Sequence, residues 1–197
     1  RYPDQVTDEL GLPFAGTVMA TLAFMLCATE AQQDAHLPTI AAGEARFAVG
    51  FAGLAGQTGA ATVTLNGDRI SGRLTSVMDA GAPTHLLVFL RDGTAAVAEA
   101  AAASLTVHRS LDRTRPVTDI AFDNAPAERL DAANDKLATA RRVLDAGRIM
   151  LAADTLGAAQ CMLDRAIAYA KERVQFGRII GSFQGVKYML ADCVTML

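Results

Sequence analysis

The 197-residue sequence contains no tryptophan, only three cysteines and three histidines, and no excess of basic residues. Each shortage excludes something. Cys27, Cys161 and Cys193 are an odd number without CxxC spacing, which argues against a disulfide framework or a structural zinc site and for a reducing compartment. The protein is therefore read as cytoplasmic. Eighteen Lys and Arg against 21 Asp and Glu leave a formal charge of -3, so no overall positive field recruits nucleic acid or an anionic membrane surface. Any anion site has to be local. His36, His85 and His108 are scattered, with no His, Cys or carboxylate at ligand spacing, and they read as surface or internally satisfied histidines with no metal to hold. The strings GxGxxG, P-loop, HExxH and GxSxG are also missing, which removes the sequence warrant for a dinucleotide Rossmann, phosphoryl-transfer, zincin or serine-hydrolase reading.

What the chain does have is apolar residues, 51% of the total, enough for a sizeable core in one large or two small domains. Leu12 to Thr29 carries no charge and is long enough to raise a membrane helix. It includes Pro13, Gly16 and three threonines, it is flanked by Glu9 and Glu30, and basic anchors are missing beside it, so a core helix is the reading adopted. The chain begins at Arg1 and ends at Leu197 within a helical pattern that has no stop signal, which points to a fragment.

From Phe14 to about Gln33, apolar residues recur at three- and four-residue steps, which predicts one helix limited by Pro38. After Gly43 the texture changes to short runs rich in Val, Thr, Leu and Phe, punctuated by Gly, Asn and Asp, as strands and turns require. Thr62 to Leu65 and Ile70 to Val77 read as strands about Asn66-Gly67-Asp68, the best hairpin signal in the chain. His85 to Leu90, Ser104 to Val107 and Val117 to Phe122 are further strands, while Ala95 to Ala103 prefers helix or a covering turn. Asp131 to Thr139 reads as the nearest thing to a linker. From about Arg141 the helical period returns, with Ile149, Ala152, Leu156, Ala159, Leu163, Ile167, Ala170 and Val174 on one stripe. Phe176-Gly177 is expected to end that helix, and Ser182 to cap a second one using Val186, Met189, Leu190 and Cys193.

Gly50, Gly53, Gly56 and Gly59 recur every third residue, either as a loop that lets backbone amides approach a ligand or as a flexible strand connection. A sharper string follows later: Arg173-Val174-Gln175-Phe176-Gly177-Arg178-Ile179-Ile180-Gly181-Ser182-Phe183-Gln184, then Leu190-Ala191-Asp192. This RxQFGxxIxxFQ with LAD resembles the signature of the acyl-CoA dehydrogenase family. The preceding stretch, Arg148 to Glu172, is similar to that family's long helix. More diffusely, Gly43-Glu44 after a Leu-Pro pair, the strands about the NGD turn, and Ile120 to Pro126 resemble its middle β-domain.

The resemblance implies an α+β fold. Residues 1–43 would be the end of an N-terminal helical domain, 44–130 a β-barrel-like middle domain, and 131–197 the start of a C-terminal helical bundle. It implies FAD as cofactor, α,β-dehydrogenation of an acyl-CoA thioester, and an electron-transfer flavoprotein as electron acceptor. By position, Arg173, Gln175 and Phe176 would reach the FAD of the neighbouring subunit, with Arg173 on the pyrophosphate and Ile180 and Phe183 near the adenine. The residue types suit this: guanidinium forks onto phosphate oxygens, and aromatic and aliphatic faces accept a purine. Arg148 would lie near the acyl-CoA.

The sequence also departs from that family. Its flavin-binding TEPxxGSD-like loop is replaced by Phe51-Ala52-Gly53-Leu54-Ala55-Gly56-Gln57, and Ser76 stands roughly where relatives set a tryptophan against the flavin. The catalytic glutamate of some branches would fall at Gly147, leaving Asp145 or Asp154 as guesses, and other branches carry it beyond Leu197. Three expectations follow. In the first, the chain resembles one subunit of a heteromeric enzyme for a bulky or steroid side-chain thioester, working with a paralogous subunit. Alternatively it is a self-sufficient homo-oligomer, or a catalytically silent acyl-CoA-binding or structural subunit.

Overall fold

The computed structural model describes residues 14–54, 62–78, 82–109, 111 and 116–197. Two compact units are present, Arg1–Gly147 and Arg148–Leu197. Among the described residues, no helix is long and apolar enough to cross a membrane.

The first unit opens with helices α1 (Phe14–Cys27) and α2 (Glu30–Ala41), where the periodicity predicts one. Thr29 causes the break. It is extended at φ -68°, ψ 162°, its hydroxyl accepts the Gln32 amide, and the Gln32 side chain accepts the Thr29 amide at 3.0 Å. This reciprocal capping box starts a new helix more favourably than the old one could continue. Pro38 lies inside α2, so it does not end the helix; the chain leaves at Ala41 through Gly43, whose φ is +74°.

Eight strands follow: β1 (Phe47–Phe51), β2 (Thr62–Asn66), β3 (Arg69–Met78), β4 (His85–Phe89), β5 (Ala95–Glu99), β6 (Ala103–Val107), β7 (Val117–Pro126) and β8 (Glu128–Leu130). They form two four-stranded sheets, β1-β4-β5-β8 and β2-β3-β7-β6. All pairings are antiparallel except β1 with β4, which is parallel. The hairpin predicted about Asn66-Gly67-Asp68 is present, with Asn66 opposite Arg69 and Gly67 at φ +60°.

Two apolar layers hold the unit together. One joins α1, α2 and the start of the next helix to the first sheet through Phe24, Phe47, Phe89, Leu87, Val97 and Val143. The other joins the two sheets through Ile70, Leu74, Leu86, Val88, Ala96 and Ile120. Residues of β4 and β5 alternate between the layers, so the first sheet is buried on both faces. That explains the misread alanine run: Ala95–Glu99 is a central strand, followed by a short 3-10 turn at Ala100–Ala102. Small side chains fit where two sheets approach, and packing overrides the helical preference of alanine. β1 shows no alternation in the sequence because every residue of it is buried.

Gly50 on β1 is required by close approach, because a Cβ there would lie 2.6 Å from Leu74 Cδ1 on β3. Burying each large side chain in these layers contributes roughly 1.5–3 kcal/mol.

Helix α3 (Lys136–Glu172) begins earlier than its apolar period does. Asp135 accepts the Ala138 amide at 3.0 Å, so much of the polar stretch expected as a linker is already the first turn. The boundary between the two units falls within α3.

Candidate functional site

In the second unit, α3 ends at Glu172, with the Arg173 amide donating to Tyr169 O at 2.9 Å. The chain then forms a two-stranded hairpin, β9 (Val174–Gln175) with β10 (Arg178–Ile179), in which Gln175 faces Arg178 and Val174 faces Ile179. The Ile180 amide donates to Arg173 O at 2.8 Å, closing the base. A 3-10 turn, Ile180–Ser182, leads to α4 (Gln184–Met196). Phe176-Gly177 is therefore the tip of a hairpin and not a helix cap. Nor does Ser182 cap α4: its hydroxyl donates to Ile179 O at 2.7 Å, and Phe183 occupies the capping position without a side-chain bond. Gly181 lets the turn close on α3, since a Cβ there would lie 2.8 Å from Ala170 O.

The tip is unusual. Phe176 and Gly177 have φ of +52° and +78°, the sign pattern of a type I′ turn, whose first central position normally takes Asn, Asp or Gly. A phenylalanine there costs on the order of 1–3 kcal/mol of backbone strain. Its ring is also 92% exposed, so burial repays little of that cost within the unit. The ring stands edge-on to Phe183, with centroids 6.2 Å apart and planes at 89°. Arg178 lies on the other partner of this pair, its Cζ 4.0 Å from the Phe183 centroid. Gln175 is exposed and donates to Val174 O at 2.9 Å, and Arg173 is exposed beside it. Ile180 is half-buried.

The hairpin thus gathers Arg173, Gln175, Phe176, Ile180 and Phe183 into one corner, with two guanidiniums and two phenyl rings. Arg148 is not among them. It stands exposed on α3, about 36 Å of helix before Glu172 at 1.5 Å per residue. Sequence reasoning passed over Arg178; the Gln-Phe-Gly-Arg string could have signalled a two-residue hairpin, but no spacing rule announces its stacking on Phe183.

The first unit bears on the other expected positions. Gly147 is buried, and a Cβ there would collide with the Met19 thioether. A glutamate at this position requires Met19 to move. Ser76 has φ +56° at a β-bulge opposite Asp119, between the pairs Leu74–Ile120 and Val77–Thr118. Asp119 is only 8% exposed and accepts from Ser76 N at 3.0 Å, Arg73 Nη2 at 2.7 Å and His108 Nε2 at 2.9 Å. These bonds, led by that from His108, hold its carboxyl well below the usual carboxylate range. Of the glycine-rich loop, Gly53 is described at φ +75°, with Arg91 Nε 3.2 Å from where its Cβ would lie; Ala55, Gly56, Gln57 and Gly59 lie outside the described residues. Among the described residues no cluster of His, Cys, Asp and Glu could hold a metal ion.

Fold and corner together define a class. Residues 137–197 match the family described as acyl-CoA dehydrogenase, C-terminal domain. The chain aligns over 96% of its length with two solved structures. One is the Tcur3481-Tcur3483 steroid ACAD G363A variant, at 30% identity, TM-score 0.76 and 55% of that chain. The other is butyryl-CoA dehydrogenase from Megasphaera elsdenii, at 26% identity, TM-score 0.75 and 57% of that chain. It is also 29% identical to the 3-(aryl)acrylate reductase of Clostridium sporogenes, over 88% of this chain and 52% of that protein. Residues 137–197 thus carry the acyl-CoA dehydrogenase C-terminal domain, and the chain as a whole shares the α+β fold of these relatives and spans about half their length.

Proposed function

We propose that the chain is a subunit of an FAD-dependent acyl-CoA dehydrogenase and lends its hairpin to a flavin presented by a neighbouring subunit. The observation that carries this reading is Phe176: a strained backbone holds an apolar ring in the open, which makes physical sense where something outside the unit covers it. The residues suit a dinucleotide. The Arg173 guanidinium offers forked donors to a pyrophosphate, and the phenyl rings and Ile180 offer faces to adenine. When bound, FAD supplies the acceptor for the hydride leaving the acyl β-carbon.

The chain's own part is to bind and orient. Arg173 holds phosphate oxygens, Gln175 offers amide hydrogen bonding beside it, Phe176 closes over the nucleotide, and Ile180 and Phe183 exclude water from the adenine. Arg148 is assigned to the acyl-CoA side. Gly147 offers no side chain to act as base, so the base would come from elsewhere in the assembly. The division at residues 43 and 130 into helical, β and bundle parts belongs to the same proposal. Likeness to a steroid ACAD named for two gene products favours a bulky thioester and a paralogous partner subunit. An electron-transfer flavoprotein as electron acceptor and a cytoplasmic location complete the proposal.

The tagged chain, isolated in its native assembly, is expected to carry flavin with its visible absorption bands, and Arg173→Ala or Phe176→Ala is expected to lower flavin content at least tenfold. An assembly free of flavin, or one indifferent to both changes, overturns the reading. If the chain alone binds stoichiometric FAD and turns over acyl-CoA, the shared site is wrong and a homo-oligomeric enzyme replaces it.

A further inference from the structure

We infer that Arg178 is a positioning residue for the flavin nucleotide, acting through Phe183 and not by touching the nucleotide itself; this rests on the reading of the corner as a flavin site. The backbone of Arg178 is fixed by pairing with Gln175, so its side chain leaves the hairpin from a defined place. Its guanidinium lies 4.0 Å from the Phe183 centroid, within cation–π range. Phe183 follows the 3-10 turn, its amide donating to Ile180 O at 3.1 Å, so this contact adds a side-chain tie between the hairpin and the turn.

The consequence is an ordered stack of Arg178, Phe183 and Phe176. One face of Phe183 is taken by the cation, which restrains the ring from turning, and Phe176 stands perpendicular to it at 89°. The exposed Phe176 ring is thereby presented in one orientation before any ligand arrives. A rotamer-rich platform would have to be ordered on binding, and preorganisation removes that cost. The charge also adds to that of Arg173 in a chain whose net charge is -3.

The test uses the tagged chain in its native assembly, stripped of flavin and titrated with FAD, with flavin fluorescence and visible circular dichroism as readouts. Arg178→Ala is expected to weaken FAD binding about threefold to tenfold and to change the flavin dichroism, while Arg178→Lys, which keeps the cation, recovers most of both. If Arg173→Ala abolishes binding and Arg178→Ala leaves affinity and dichroism at wild-type values, the positioning role is wrong and the flavin site stands. If neither matters, both are wrong. A loss in Arg178→Ala that Lys does not recover, or that comes with lowered helix content, also overturns the positioning role.

Discussion

Ser76 and Phe176 share a backbone conformation and little else. Both are non-glycine residues at positive φ, +56° and +52°. At Ser76 the cost is met locally. Its amide is held by Asp119, whose carboxylate also takes Arg73 and His108, so β3, β7 and the residue just after β6 are pinned together around the bulge. At Phe176 nothing comparable exists within the unit: the neighbouring glycine permits the turn, and the ring meets Phe183 but remains 92% exposed. Strain at Ser76 is embedded in a hydrogen-bond network, whereas strain at Phe176 displays a side chain.

That contrast can be broken from either end. Asp119→Ala is expected to lower the urea midpoint more than any other change named here, because three donors lose one acceptor. Asp119→Asn should flatten the acid limb of stability. The native carboxyl titrates below the ordinary range, so its contribution is complete above about pH 4 and is lost as pH falls below it. If Asp119→Ala melts like wild type, the bulge is not pinned as described.

The next largest effect concerns His85, whose pKa is lowered first by burial and then by His36, against a raising influence from Glu99. The unfolded chain takes up its proton more readily, so stability should fall as pH drops below about 6.5, and His85→Asn should remove part of that slope in a urea titration.

At the hairpin the sign reverses. Phe176→Asn places the residue that type I′ turns prefer, and should raise stability by about 1 kcal/mol while weakening flavin binding. A loss of stability would mean the ring is needed by its own unit. The smallest effect is expected for Ser76→Gly, within about 0.5–1 kcal/mol of wild type, since relief of strain is offset by added freedom of the unfolded chain.

The parts legible in the sequence were those with local signals. The Asn-Gly turn, the alternating strands of the second sheet and the RxQFG string all announce themselves through neighbours in the chain. The parts missed are set by distant partners. Ala95–Glu99 becomes a strand because β4 and β8 flank it, and β1 hides because both its faces are covered. For the corner, the residue types at Arg173, Gln175 and Phe176 were readable, but the φ of Phe176 and the seat of Arg178 over Phe183 depend on three-dimensional closure.

The parallel pairing of β1 with β4 sets a timing problem on the ribosome. Phe47 and its partner His85 are 38 residues apart in the chain. At translation rates of roughly 5–20 residues per second, the apolar side chains of β1 wait about 2–8 s for the strand that completes their sheet. Helices α1 and α2 precede β1 in the chain and supply the layer that covers its Phe47, Val49 and Phe51 face in the folded unit.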